Sequence, residues 1–364
     1  MAQLTVSINP KILKWARGVA GFEKRDIADE ISVSEERYSN WEKDGHNIPF
    51  GKLQLIANKY KRQIAFFFLP EVPVRKTPPK DYRNLNPLKS KLSKQVLLAL
   101  RDAENFQSLS RLIEPPGYWN EKSRWLNEMP EKSISQETFG VVRKLLSITI
   151  EEQIEWDSDR IAYKYWRQSF ETKLGILVFQ FPMPLDEVHG FCISDDFPLV
   201  IVTNSNHPYT GRIFTLFHEF AHIISKQSAL CLVDEVKKEQ DVEWACNSFA
   251  GSFLAPSEVL IDTKNLTEIS RYASRLKISR EAYLRRMWTE NLINDSLFYE
   301  LLEKIKATYK PKTTGGFVPP EKKSIASRGE TFFTSVINAA HSNKISYTQA
   351  SSALNLSVPR IINA

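Results

Sequence analysis

Cysteine is scarce in this chain: Cys192, Cys231 and Cys246 are the three in 364 residues, odd in number and irregular in spacing. No disulfide framework and no cysteine-built zinc site follows from them, and a reducing cytoplasm is the expected home. Long apolar runs are missing too. The longest tight one is IAFFFL, Ile64 to Leu69, far short of the roughly 20 residues that cross a bilayer, so no membrane partner is expected. The N-terminal MAQLTVSINPKILKW lacks the basic start and apolar stretch of a secretory signal. There is no internal repeat and no low-complexity tract. What remains is ordinary for a soluble protein, with 42% apolar residues and a formal charge of +6. The length suffices for two or three domains with proper cores.

The stretch Ile213 to Lys226, IFTLFHEFAHIISK, is apolar nearly all round with one polar stripe. On a 3.6-residue helix Thr215, His218, Glu219, His222 and Lys226 share a face. The other faces carry Ile213, Phe214, Leu216, Phe217, Phe220, Ala221, Ile223 and Ile224, the pattern of a core helix. Two imidazoles and a carboxylate do not sit in a core without partners, because an unmatched buried polar group costs a few kcal/mol. A divalent metal suits all three. His218 and His222, one turn apart, can reach one ion, while Glu219 is rotated toward an open coordination position.

A tetrahedral catalytic zinc takes a third protein ligand and leaves one place to water. The next helical stretch, DVEWACNSFAGSFLAPSEVL, puts Glu243, Asn247, Ala250, Gly251 and Leu254 on one face. Ala250 and Gly251 make that face thin enough to approach the first helix. Glu243 is the expected third ligand, and Asn247, one turn on, can orient it. Glu239 and Asp241 compete from a charged run that reads as a solvated loop. Cys246 points to another side and reads as small core filler. In the loop NSNHPYTG that enters the metal helix, His207 and Tyr209 are candidate donors to an oxyanion. His189 precedes a strand and has no metal-ligand spacing around it.

FTLFHEFAH, followed some twenty residues later by Glu243, Asn247, Phe249, Ala250, Leu254 and Pro256, resembles the ImmA/IrrE family of bacterial metallopeptidases. The lead-in LVIVTNSNHPYTGRIFTLFHEF resembles it as well. The likeness covers roughly residues 174 to 260, with Ala255 standing where the family usually has methionine. It implies one zinc per chain held by His218, His222 and Glu243, with Glu219 as catalytic base. Two imidazoles and a carboxylate accept either zinc or manganese. It also implies a substrate class, because relatives cleave helix-turn-helix repressors and so relieve transcription of mobile-element or stress-response genes.

Residues 9 to 60 read as four short helices. The third begins at Ser34, a good N-cap, and the string RDIADEISVSEERYSNWEKD is similar to the XRE (Cro/repressor-type) helix-turn-helix. The would-be reading helix is acidic, with Glu35, Glu36, Glu42 and Asp44 against Arg37 and Lys43. From Lys61 to Lys94, by contrast, nine bases face two acids among five prolines, an extended basic linker able to supply phosphate contacts. Arg37, Ser39, Asn40 and Lys43 are the expected DNA-contacting residues.

Helical stretches follow near 92–114, 136–148 and 151–172. Three strands, LGILVFQF, GFCIS and PLVIVTN, then lead into the metal helix. The expected fold is mainly α with a small β-sheet. It comprises an all-α helix-turn-helix domain (1–70), a basic proline-rich linker (71–94), an α+β zincin-like metallopeptidase domain (95–307), and a linker with a C-terminal helical region (308–364). The function expected is a zinc endopeptidase fused to a DNA-binding domain, with a repressor protein as peptide substrate. The alternative is a regulator, such as a toxin-antitoxin component, whose zinc domain senses or binds a partner without cleaving it.

Overall fold

The computed structural model describes residues 4–73, 92–130, 136–229, 238–308 and 317–364, so most of the basic linker, Cys231, and the side chains of Lys226, Glu239 and Asp241 lie outside the described residues. The chain is mainly helical with two small sheets among them. It divides into two compact units, Met1–Asn105 and Phe106–Ala364. No described helix is long and apolar enough to cross a membrane.

In the first unit, β1 (Thr5–Val6) pairs antiparallel with β2 (Ile48–Pro49) beside four helices: α1 (Pro10–Val19), α2 (Lys24–Glu30), α3 (Glu35–Asp44) and α4 (Phe50–Lys59). Each start has a local cause. Asn9 accepts from the Lys11 N–H, with Pro10 opening α1, and Ser34 accepts from the Arg37 N–H to cap α3. Between α2 and α3 the chain turns through Ser32, whose φ of 55° lets it reverse within a few residues. Ile12, Leu13, Ile27, Leu53 and Ile56 are fully buried around the joined hydroxyls of Tyr38 and Tyr60, 2.7 Å apart.

Glu42 is not part of the exposed charge of α3. Its carboxylate is buried and accepts from Arg17 Nε at 2.7 Å and Nη2 at 3.3 Å. Removing one partner of such a pair leaves a charge buried and unmatched. Glu42→Ala is therefore expected to lower the stability of this unit by about 3 kcal/mol, read by urea unfolding of the full chain. A change below 0.5 kcal/mol would contradict it.

α5 (Lys94–Ile113) runs from the first unit into the second, where α6 (Tyr118–Lys122), α7 (Gln136–Leu146), α8 (Ile150–Glu155) and α9 (Asp159–Lys173) follow. The stretch 151–172, expected as one helix, is two. Ser158 caps α9 by accepting from the Ile161 N–H, and Trp156 adopts extended geometry between them, so the N-cap signal overrides the continuous pattern. The sheet has the order β3 (Leu177–Phe181), β5 (Val200–Asn204), β4 (Gly190–Ile193), with β3 parallel and β4 antiparallel to the central β5. All its residues are buried, as their continuous apolar runs require.

The long helix α10 (Tyr209–Ala229) packs on this sheet and α11 (Lys238–Leu254) packs along α10, followed by α12 (Leu266–Arg275), α13 (Arg280–Thr289) and α14 (Asp295–Ala307). The C-terminal helices α15 (Pro320–Arg328), α16 (Glu330–His341), α17 (Tyr347–Leu354) and α18 (Val358–Ile362) belong to the same unit. α15 packs on β3 and α16 on α9. A buried ion pair ties them in, with Arg167 Nε donating to Glu171 at 2.9 Å and Nη1 to the Ala326 carbonyl at 2.6 Å.

Candidate metal centre

The position of α10 is set by aromatic packing. Phe217 is fully buried, its ring 4.8 Å from Trp166, 5.4 Å from Phe170 and 4.5 Å from Phe253, while Phe220 lies 5.1 Å from Phe170. Elements α9 and α11 thus grip the apolar faces of α10, and the polar stripe has one direction left. Along it Thr215 and Glu219 are buried, and the imidazoles of His218 and His222 are 17% and 11% exposed. β4 closes over the same turn. A Cβ on Gly190 would lie 2.3 Å from Thr215 Cγ2 and 3.6 Å from Glu219 Cγ, so only glycine lets the strand sit this close.

From α11, Glu243 reaches into the stripe. Its Oε1 is 3.2 Å from His222 Nε2, its Oε2 is 3.4 Å from His218 Nε2, and the two imidazole nitrogens are 3.1 Å apart. Bonds of about 2.0 to 2.2 Å in a tetrahedron put neighbouring donors roughly 3.3 to 3.5 Å apart. The three side chains are therefore spaced to share one ion, and two nitrogens with one carboxylate oxygen suit zinc or manganese.

Charge agrees with geometry. Burial works against ionised Glu243, but hydrogen bonds from His218 and His222 outweigh it and hold the carboxyl well below the usual carboxylate range. Burial likewise opposes charge on His222, yet hydrogen bonding to Cys246 and Glu243, with the charge of Glu219, raises it to about 11. Cys246 is fully buried, as core filler should be, and it lies near enough to His222 to raise its pKa. Gly251 also differs from expectation. A Cβ there would meet Arg286 of α13 at 3.1 Å, so the small residue makes room for that arginine rather than for α10. His218 Nδ1 is buried with no hydrogen-bond partner among the described residues.

Residues 171–287 match the family model of the IrrE N-terminal-like domain, Peptidase_M78. This IrrE-like region takes in the three strands, both long helices, and all of His218, Glu219, His222 and Glu243. It marks this region as metallopeptidase-like. No curated protein and no solved structure matches the chain.

The other expected residues are placed as follows. Asn247 is exposed on α11. Tyr209 opens α10 with its ring 5.8 Å from that of Tyr163 and the Arg212 guanidinium 4.4 Å above it. His207, in the loop before α10, hydrogen-bonds through Nε2 to Nδ1 of His189, their rings 4.5 Å apart. In the first unit, Arg37, Asn40 and Lys43 are exposed on α3 and Ser39 is half-buried, with Arg37 5.5 Å from the Trp41 ring. His189 is the residue that sequence reasoning passed over. Its only signal is strand register: Gly190 pairs with Thr203, and the Asn204 N–H donates to the His189 carbonyl.

Proposed function

We propose that this protein is a zinc-dependent endopeptidase whose N-terminal unit is an XRE-type helix-turn-helix DNA-binding domain, and that it cleaves a transcriptional repressor to control mobile-element or stress-response genes. The observation that carries the peptidase reading is the convergence of His218, His222 and Glu243 with Glu219 on the same helical turn. A zinc ion held there supplies Lewis acidity to water and to a scissile carbonyl. Glu219 takes the proton from the attacking water and delivers it to the leaving amine. Its burial beneath Gly190 fixes the carboxylate and keeps bulk water from competing. A purely structural site has no use for such a base, which favours cleavage over partner sensing alone.

The repressor as substrate rests on the resemblance to the ImmA/IrrE family, and the DNA reading on the capped α2–α3 turn. With Glu42 buried against Arg17, the exposed face of α3 carries less negative charge than the sequence count suggests. Incubation of the loaded protein with helix-turn-helix repressors is expected to give discrete fragments by mass spectrometry. Phenanthroline should abolish them and added zinc restore them, and cleavage that persists in chelator would exclude the metal mechanism. Deleting residues 1–70 is expected to reduce target cleavage in cells. An unchanged level would remove the tethering role of the first unit.

A further inference from the structure

We propose that His189 is a further catalytic residue, donating a hydrogen bond from Nε2 to the scissile carbonyl oxygen as that oxygen gains negative charge, with His207 and Asn204 as its positioning residues. The inference rests on the peptidase reading above and adds a donor that reading does not contain.

Placement comes first. His189 is exposed at the N-terminal end of β4, and the next residue, Gly190, lies against Thr215 and Glu219 of the metal helix. The strand end that carries this exposed imidazole thus lies against the turn that bears the general base.

Support comes from behind. Asn204, fully buried at the end of β5, uses its whole amide. Its Nδ2 donates to the Met183 and Val188 carbonyls at 2.9 and 2.8 Å, and its Oδ1 accepts from the Met183 and Asn206 N–H groups at 3.1 and 3.0 Å. One side chain therefore fixes both the segment entering His189 and the turn carrying His207. The His207 carbonyl is held in addition by Arg212 Nε at 2.8 Å.

The tautomer follows from the neighbours. His207 Nδ1 abuts the first turn of α10, where a Cβ on Gly211 would lie 2.9 Å from it. We assign the donor of the bond between them to His207 Nε2; His189, accepting at Nδ1, then carries its own proton on Nε2. His207 Nε2 is engaged by His189, so the role of oxyanion donor passes from it to His189.

The test uses the zinc-loaded full chain as wild type, His189→Ala, His189→Gln and His207→Ala. The substrates are internally quenched fluorescent peptides of randomised sequence, and ring-nitrogen NMR reports the His189 tautomer. His189→Ala is expected to keep its zinc and lose about 10²-fold in kcat, the usual cost of one oxyanion donor, with KM nearly unchanged. His189→Gln, whose amide still donates, should recover part of the loss, and His207→Ala should fall between. The wild-type spectrum should show His189 protonated on Nε2. A proton on Nδ1, or a His189→Ala enzyme as fast as wild type, overturns the proposal while leaving the peptidase intact. A wild type that holds zinc and cleaves no peptide overturns the peptidase reading and this proposal together.

Discussion

Glu219→Gln is expected to bind metal like the wild type and to cleave peptide at least 10²-fold more slowly, within the range that general acid–base catalysis contributes. The substitution keeps the shape of a buried side chain packed beneath Gly190. It leaves His218, His222 and Glu243 untouched and removes only the ability to accept a proton. The two readouts must therefore separate, with metal content unchanged and kcat lost. If the variant cleaves at the wild-type rate, Glu219 is not the base. If it loses metal as well, Glu219 is part of the ligand set or of the fold.

Phe217→Ala is expected to cost the second unit about 3 to 5 kcal/mol, the range for removing a buried aromatic ring. Phe217 is fully buried and its ring meets Trp166, Phe170 and Phe253, so truncation leaves a hole that three rigid neighbours cannot fill together. At roughly 2 to 4 °C per kcal/mol for a unit of this size, the midpoint of thermal unfolding should fall by about 10 °C. Metal affinity should fall with it, because His218 is the adjacent residue on the same helix. A shift below about 2 °C would mean that the aromatic cluster does not hold α10 in place.

The metal helix was readable from sequence because its period is local. A stripe of Thr215, His218, Glu219 and His222 on an otherwise apolar helix follows from 3.6 residues per turn, and α11 presents Glu243 by the same arithmetic. The mainly helical fold and the three strands were readable for the same reason. What escaped depends on contacts far apart in the chain. Gly251 could be placed on a face of α11, but which neighbour that face meets is decided by α13 and Arg286. Cys246 could be read as core, yet its effect on the pKa of His222 depends on how closely α10 and α11 approach. Glu42 counted as surface charge until Arg17, 25 residues earlier, proved to bury it. His189 and His207 are 18 residues apart and meet only through the register of β4 on β5. The packing of α15 and α16 on β3 and α9 has no local signature at all.

The site also links metal uptake to protons. Without an ion His222 holds its proton up to about 11, by hydrogen bonding to Cys246 and Glu243 against the effect of burial. A metal must displace that proton, so binding below this pH should release it and should tighten as pH rises.

The central claim is that His218, His222 and Glu243 hold one ion, and metal content by plasma mass spectrometry on wild type and Glu243→Ala, purified without chelators, tests it most directly. About one zinc per chain in the wild type, markedly reduced in the variant, is the result expected. No metal in the wild type, and none taken up on reconstitution with zinc or manganese, would contradict the account.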